Sequence, residues 1–229
     1  MKPLRNWDDL PDFMRTEAVR PYYDNLKKHE QELVLKRAFD VVVASILLVV
    51  LAPVMLVVAV LIKLDSPGPV FYRQTRVTQY GKEFRIYKFR TMVNGAENNG
   101  SLLTIENDPR ITKPGKMIRK YRIDEFPQLF NVLAGHMSFV GTRPEVPKFV
   151  HAYSDEMYAT LLLPAGITSE ASILYKDEEA RLAASDSADE TYIAELLPQK
   201  MKWNLNAIQN FSLTTEVFVM IRTLATVIK

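Results

Sequence analysis

Between Val41 and Ile62 the chain runs VVVASILLVVLAPVMLVVAVLI, 22 residues without a charge. At about 1.5 Å per helical residue this run approaches the roughly 30 Å hydrocarbon core of a bilayer, so any fold must surround it with lipid or with apolar protein. Pro53 divides it. Proline cannot donate to the Val49 carbonyl and its ring crowds the preceding turn, which predicts a kink between Val41–Ala52 and Val54–Ile62. Each half is then only about 14 to 18 Å long, enough to reach mid-bilayer and return. Lys27, Lys28, Lys36 and Arg37 flank one side and Lys63, Arg73 and Arg76 the other. That symmetry gives no preferred orientation and favours both ends in the cytoplasm. On the residues alone, re-entry stands only slightly ahead of a spanning helix, because kinked spanning helices are common. The run lies far from Met1, behind a charged stretch and with no small-residue cleavage site, so it is not read as a removable signal peptide.

The rest of the chain is of another character. Mean hydropathy is −0.07 and 24% of residues are charged, which excludes a polytopic membrane protein. The 48% hydrophobic content of 229 residues excludes disorder and supports a buried core. With no cysteine, disulfides, thiolate catalysis and zinc-thiolate sites are excluded, and His29, His136 and His151 are not at ligand spacing. The net charge of +2 conceals a polarity: residues 63–122 carry 13 basic against 5 acidic side chains, residues 123–229 carry 8 against 14. A basic block directly after an apolar segment reads as attraction to anionic lipid headgroups, as a site for a phosphorylated ligand, or as a solvated basic face.

The expected fold class is α+β, mainly helical with a short β-hairpin, in three parts: an N-terminal extension 1–35, the membrane helix 36–64 and a cytoplasmic domain 65–229. Val70–Thr75 and Glu83–Arg90 flank Tyr80-Gly81 and carry the aromatics of a hairpin, with Tyr72 and Tyr87 as packing residues. The segment 93–109 is too rich in Asn and Gly for a regular element and has the length of a loop that covers a site or moves. Helices are expected near Lys116–Arg122, Glu125–Ala134, Asp155–Leu163, Asp177–Ala184, Glu190–Asn206 and Leu213–Ile228. In the last, Val217, Met220, Ile221, Leu224 and Ile228 form an apolar stripe. It reads first as core packing and second as an interfacial face.

Chemistry concentrates between Arg119 and Glu145. Asp124 and Glu125 adjoin at the start of an expected helix, with Arg119, Lys120 and Arg122 upstream and Arg143 beyond it. An acidic pair before Pro127 is what a helix N-terminus favours, and most such pairs do nothing else. The company of arginines points further, because their planar forks suit phosphate oxygens. A carboxylate among cations is expected to have a lowered pKa, so Asp124 would be ionised and able either to hold Mg²⁺ or to attack phosphorus.

Several ordered blocks carry a resemblance. They are Lys36-Arg37-Ala38-Phe39-Asp40, Gly68-Pro69-Val70-Phe71 with Gln74 and Arg76, Lys88-Phe89-Arg90-Thr91-Met92, and Asp108-Pro109-Arg110-Ile111-Thr112. Beyond them come Asp124-Glu125, Pro127-Gln128-Leu129-Phe130-Asn131-Val132-Leu133, and Met137-Ser138-Phe139-Val140-Gly141-Thr142-Arg143-Pro144. Over roughly 36–228 the chain resembles the small monotopic phosphoglycosyl transferases, the bacterial sugar transferase family that starts glycan assembly on polyprenyl phosphate. The sequence departs from that pattern at Ala52 for a common Ser, at Thr142 for a common Pro, and at Ala165-Gly166-Ile167-Thr168-Ser169 for the usual Pro-Gly-Ile-Thr-Gly.

The resemblance implies a re-entrant membrane helix broken at Ala52-Pro53, amphipathic helices seated at the interface, and a catalytic domain on the cytoplasmic face of the bacterial cytoplasmic membrane. It implies that Asp124, matching the family nucleophile, attacks the β-phosphate of a UDP-sugar and releases UMP, and that polyprenyl phosphate then takes the phosphosugar. Glu125 would orient or deprotonate, and Mg²⁺ near Asp124 would neutralise the diphosphate. Arg119 and Arg143, with Pro144, Lys88, Arg90 and Arg110, would bind substrate. Membrane lipid is an expected partner and nucleic acid is not, while a homodimer stays open. The rivals are a non-catalytic membrane-anchored module that binds anions, in which the acidic pair only caps a helix, and a bitopic scaffold.

Overall fold

The computed structural model describes residues 3–96, 104, 108–183 and 187–228. Helix α1, Arg20–Lys28, leads through His29 into α2, Glu30–Asp65, and strands β1, Phe71–Val77, and β2, Glu83–Phe89, follow. Next come α3, Lys113–Lys120; α4, Gln128–Leu133; β3, Met137–Val140; α5, Pro147–Val150; and β4, Ala165–Thr168. Helices α6, Glu170–Leu174; α7, Glu178–Ala183; α8, Ala188–Thr191; α9, Leu197–Gln209; and α10, Leu213–Ile228, complete the order. The expected α+β class with a dominant helical share holds. Most of the expected loop 93–109 lies outside the described residues.

Helix α2 takes in the whole apolar run, and Pro53 lies inside a continuous helical stretch. Its most apolar window has a mean hydropathy of 3.1 and is only 17% buried by the protein itself. A core helix of a soluble domain would be mostly covered, so this helix points to membrane association. Val49, beside the proline, is 77% exposed. Both ends of α2, by contrast, are tied to the folded domain. At the start, buried Lys36 donates to the Val140 carbonyl at 2.9 Å and to Glu216 at 2.5 Å, while Asp40 accepts from the Phe139 amide at 3.2 Å. At the other end Met55, Val58 and Ile62 pack with Phe89 and Ile118.

The hairpin forms as expected, antiparallel with Tyr72 opposite Lys88 and Arg76 opposite Phe84. A second sheet was not expected: β3 and β4 pair in parallel, Ser138 opposite Gly166. Around them Phe84, Ile86, Leu129, Val132, Met137 and Phe139 make a core that Ala44 of α2 enters. A larger core joins the N-terminal segment, including Leu4, Met14 and Leu26, to α9.

Three helical expectations change in detail. The acidic pair sits in a 3₁₀ turn, Ile123–Glu125, rather than in α4. The Phe126 N–H closes that turn on the Ile123 carbonyl, and Pro127, which has no N–H to donate, then stands at the N-cap of α4. The expected helix at Asp155–Leu163 is a 3₁₀ turn, Met157–Leu162, tightened by the Thr160 hydroxyl, which donates to the Met157 carbonyl at 2.7 Å. In α10 most of the stripe faces out: Val217, Ile221 and Leu224 are exposed, while Met220 packs against the core beside buried Val219 and the Ile228 side chain lies outside the described residues. Polar anchors choose that face, since Glu216 meets Lys36 and the Thr223 hydroxyl meets that of Thr168 at 2.7 Å.

Candidate active site

Strand β2 supplies the first cation. Phe84 and Ile86 point into the core, and strand alternation puts Lys88 on the same face, toward the turn that carries the acidic pair. Asn131 of α4 fastens that turn's neighbour to the hairpin: its amide donates to the Arg85 carbonyl and accepts from the Tyr87 N–H, both at 2.9 Å. Between α3 and the 3₁₀ turn, Arg122 adopts a left-handed backbone with φ of 55°. For a residue with a Cβ this costs about 1 kcal/mol, a strain found where a site needs an abrupt change of direction.

Asp124 and Glu125 are 6% and 9% exposed, and the structure separates their roles. Glu125 Oε1 collects the cations: Lys88 Nζ at 3.1 Å, Arg143 at 3.2 Å and Arg122 at 3.6 Å. Burial would raise its pKa, but Lys88, Arg143 and Arg122 together hold it well below the usual carboxylate range. Asp124 Oδ2 stands 3.7 Å from Lys88 Nζ, and among the described residues its carboxylate accepts no hydrogen bond. Burial, with the Glu125 charge adding to it, outweighs Lys88, Arg119 and Arg122 and raises the Asp124 pKa. This corrects the expectation of a lowered value: the cations are spent on the neighbour. Asp124 is the more basic and less encumbered carboxylate, and Glu125 is the one tied by cations.

Two clefts meet at this point. One, of about 510 Å³, runs beside the hairpin and the end of α2, past Pro69, Val70 and Phe71. The other, of about 360 Å³, is more polar and is lined by Glu125, Arg143, Tyr175 and Lys200 among others. Asp124, Lys88, Arg76 and Arg119 line both.

Of the expected site residues, Lys88, Arg119, Asp124, Glu125 and Arg143 thus come together. Arg110 lines the first cleft, but its guanidinium grips Asp108, Nε to Oδ1 at 2.9 Å and Nη2 to Oδ2 at 2.6 Å. The terminal nitrogens of Arg90 are directed at the end of α2, donating to the Pro67 carbonyl at 3.0 Å, Ser66 at 2.7 Å and Ile62 at 3.2 Å. These contacts tie Arg90 to the end of α2. Pro144 contributes its carbonyl, which accepts from Arg76 at 2.9 Å. Ala52 and Pro53 line neither cleft. Glu145, Tyr192 and Lys200, in the wall of the polar cleft, were missed. Glu145 could have been flagged by its place directly after Arg143-Pro144, whereas Tyr192 and Lys200 left no local signal.

Mg²⁺ usually takes one or two carboxylates and completes its shell with phosphate oxygens and water. Among the described residues no group of three acidic, histidine or cysteine side chains stands close enough to hold a metal unaided. Asp124, with its lone pairs open toward both clefts, fits a Mg²⁺ that arrives with a diphosphate.

The chain is 40% identical over 198 residues to a UDP-N-acetylgalactosamine-undecaprenyl-phosphate N-acetylgalactosaminephosphotransferase of Aeromonas hydrophila, covering 85% of this chain and 44% of that protein. It is 33% identical over 213 residues to a UDP-glucose:undecaprenyl-phosphate glucose-1-phosphate transferase of Escherichia coli, covering 92% and 43%. With an undecaprenyl-phosphate galactose phosphotransferase of Salmonella typhimurium it shares 38% identity over 181 residues, 72% of this chain and 38% of the other. The chain spans less than half the length of these three relatives. The family model for bacterial sugar transferases matches residues 31–229, and the chain belongs to that family.

Proposed function

We propose that this chain transfers a sugar phosphate from a UDP-sugar to polyprenyl phosphate, giving polyprenyl diphosphate sugar and UMP, as a first membrane step in assembling a bacterial glycan. The observation that carries the reading is the position of Asp124, a desolvated carboxylate of raised basicity at the junction of two clefts. A carboxylate oxygen attacks the β-phosphorus, and the bond from that phosphorus to the bridging oxygen breaks, sending its electron pair out with UMP. The acyl phosphate so formed carries the sugar. A phosphate oxygen of the polyprenyl acceptor then attacks the same phosphorus, and the acyl P–O bond breaks to return the Asp124 carboxylate. Arg143 and Arg119 bind the phosphates, and Glu125 fixes Lys88 and Arg143 in place rather than moving a proton. Mg²⁺, with Asp124 as its protein ligand, would add neutralisation of the diphosphate charge.

The first cleft runs beside the end of the apolar helix, which suits the lipid acceptor, and the polar cleft suits the nucleotide sugar. Incubating the membrane-embedded protein with a panel of UDP-sugars and polyprenyl phosphate should release UMP from at least one of them. No UMP from any, with anionic lipid still bound, would leave the anion-binding module standing instead.

The same reading places the catalytic domain on the cytoplasmic face of the bacterial cytoplasmic membrane, with α2 re-entering at Pro53. Support comes from both ends of α2 being held by one folded domain, through Lys36 and Asp40 at the start and through Arg90 at the finish. Tags at the N- and C-termini should both be shielded from external protease. Pro53→Leu restores the missing backbone donor and should move a measurable fraction of molecules to a spanning state. A wild-type N-terminus that is cleaved from outside overturns the re-entrant topology.

A further inference from the structure

Beyond the acidic pair, the polar cleft continues into side chains that the phosphate chemistry leaves unused. The Tyr192 hydroxyl donates to Glu145 and accepts from Lys200 Nζ at 3.0 Å, and Lys200 lies 2.7 Å from Glu178 Oε2. Tyr192, Glu145 and Lys200 are buried. The Glu178 side chain is 24% exposed and is the member of the chain most open to the cleft. Tyr192 opens a π-helical turn, Tyr192–Leu196, between α8 and α9. Such turns insert one extra residue, change which side chains share a face, and recur at functional sites.

Charge decides what this end of the cleft can hold. Near Asp124, the cations Lys88, Arg119 and Arg143 present donors suited to phosphate oxygens. A phosphate moved toward Glu145 and Glu178 would face their two carboxylates; of the cations there, Lys200 is already paired, Arg143 is held by Glu125, and Lys176 also lines the cleft. An uncharged group rich in hydroxyls meets the opposite situation: each hydroxyl can donate to a carboxylate oxygen, and Lys200 has a third N–H to give. Tyr175, whose ring has the Arg181 guanidinium 5.4 Å from its centre, also lines this cleft. In a UDP-sugar the uncharged, hydroxyl-bearing group next to the β-phosphate is the hexose.

We propose that Glu178, braced by Lys200 and by the Tyr192–Glu145 pair, contacts the hexose hydroxyls and sets which UDP-sugar is used. This deepens the function proposed above and rests on it. The relatives named above are assigned three different sugars, so a sugar-reading wall is a place where members of such a family can differ.

The test compares UMP release from UDP-glucose, UDP-galactose, UDP-N-acetylglucosamine and UDP-N-acetylgalactosamine by the full chain in nanodiscs. Glu178→Gln keeps the side chain's shape and leaves Lys200 its Tyr192 partner. It should lower kcat/KM for the preferred sugar about tenfold or more and narrow the ratio between best and worst sugars by a similar factor. Inhibition by UMP, which carries no hexose, should not change. Should Glu178→Gln fail to fold, Tyr192→Phe, which loosens the brace and keeps the buried ring, must narrow the same ratio. Unchanged ratios among the sugars overturn the inference, as does a loss of UMP inhibition in step with activity, since that would put the ribose or uracil at this wall. A wild-type protein that uses no UDP-sugar counts instead against the proposed function.

Discussion

Asp124→Asn is expected to abolish both UMP release and a covalent adduct, with turnover falling by roughly 10⁴-fold or more, as for removal of a catalytic nucleophile. With a UDP-sugar and no lipid acceptor, intact-protein mass after rapid quenching should show the wild type heavier by one phosphosugar. The amide has the same size as the carboxylate and needs no cation, so loss of fold is not the expected route. The raised pKa adds a sign to the experiment. Attack requires the ionised carboxylate, and in the metal-free protein the acid limb of the carboxyl titration should lie above the ordinary aspartate pKa of 3.8. Glu125, held low, stays ionised throughout that limb. Substantial activity in Asp124→Asn, or UMP that appears only when polyprenyl phosphate is present, would favour direct attack by the lipid.

What the sequence revealed follows from the range over which each signal acts. The apolar run, the hairpin with its clustered aromatics, and the extent of α10 are local patterns of period or composition, and they were legible. So was the grouping of Asp124, Glu125, Arg119 and Arg143, because the 3₁₀ turn and the last turn of α3 carry all but Arg143. The ordering of pKa values within the acidic pair was not. It depends on Lys88 and Arg143 converging on Glu125 Oε1 and leaving Asp124 desolvated, a matter of ångströms that adjacency in sequence cannot supply. Arg90 was a substrate-binding residue on the resemblance, and its carbonyl partners at the end of α2 became visible only in three dimensions. The face that α10 turns outward was misjudged for a similar reason: two polar contacts, Glu216 with Lys36 and Thr223 with Thr168, override an apolar stripe.

The second sheet was the element least open to reading, and it yields a large expected effect on stability. Met137–Val140 is four residues long and buried throughout, so it has no alternation to detect, and Pro164-Ala165-Gly166 reads as a helix stop. In the fold, Gly166 lies against Gly141: its N–H donates to the Thr142 carbonyl at 2.8 Å, while the Gly141 N–H donates to Thr168 at 3.0 Å. A Cβ on Gly166 would sit 2.2 Å from both the backbone nitrogen and the backbone oxygen of Gly141. Those are main-chain atoms that no rotamer change can move, so β3 and β4 must separate, and Arg143 is carried two residues beyond Gly141. Gly166→Ala is expected to cost about 3 kcal/mol or more, a large share of a typical domain's stability. Gly135→Ala provides the scale. Its φ of 79° strains an alanine, but the nearest atom to the added methyl is the Arg37 side chain at 3.5 Å, so about 1 kcal/mol is expected. Thermal unfolding in detergent should place Gly166→Ala well below Gly135→Ala, and UMP release should be lost in the former even at temperatures where it remains folded. A Gly166→Ala protein as stable as Gly135→Ala would mean that the β3–β4 approach is looser than the structure has it, and that the position of Arg143 does not depend on it.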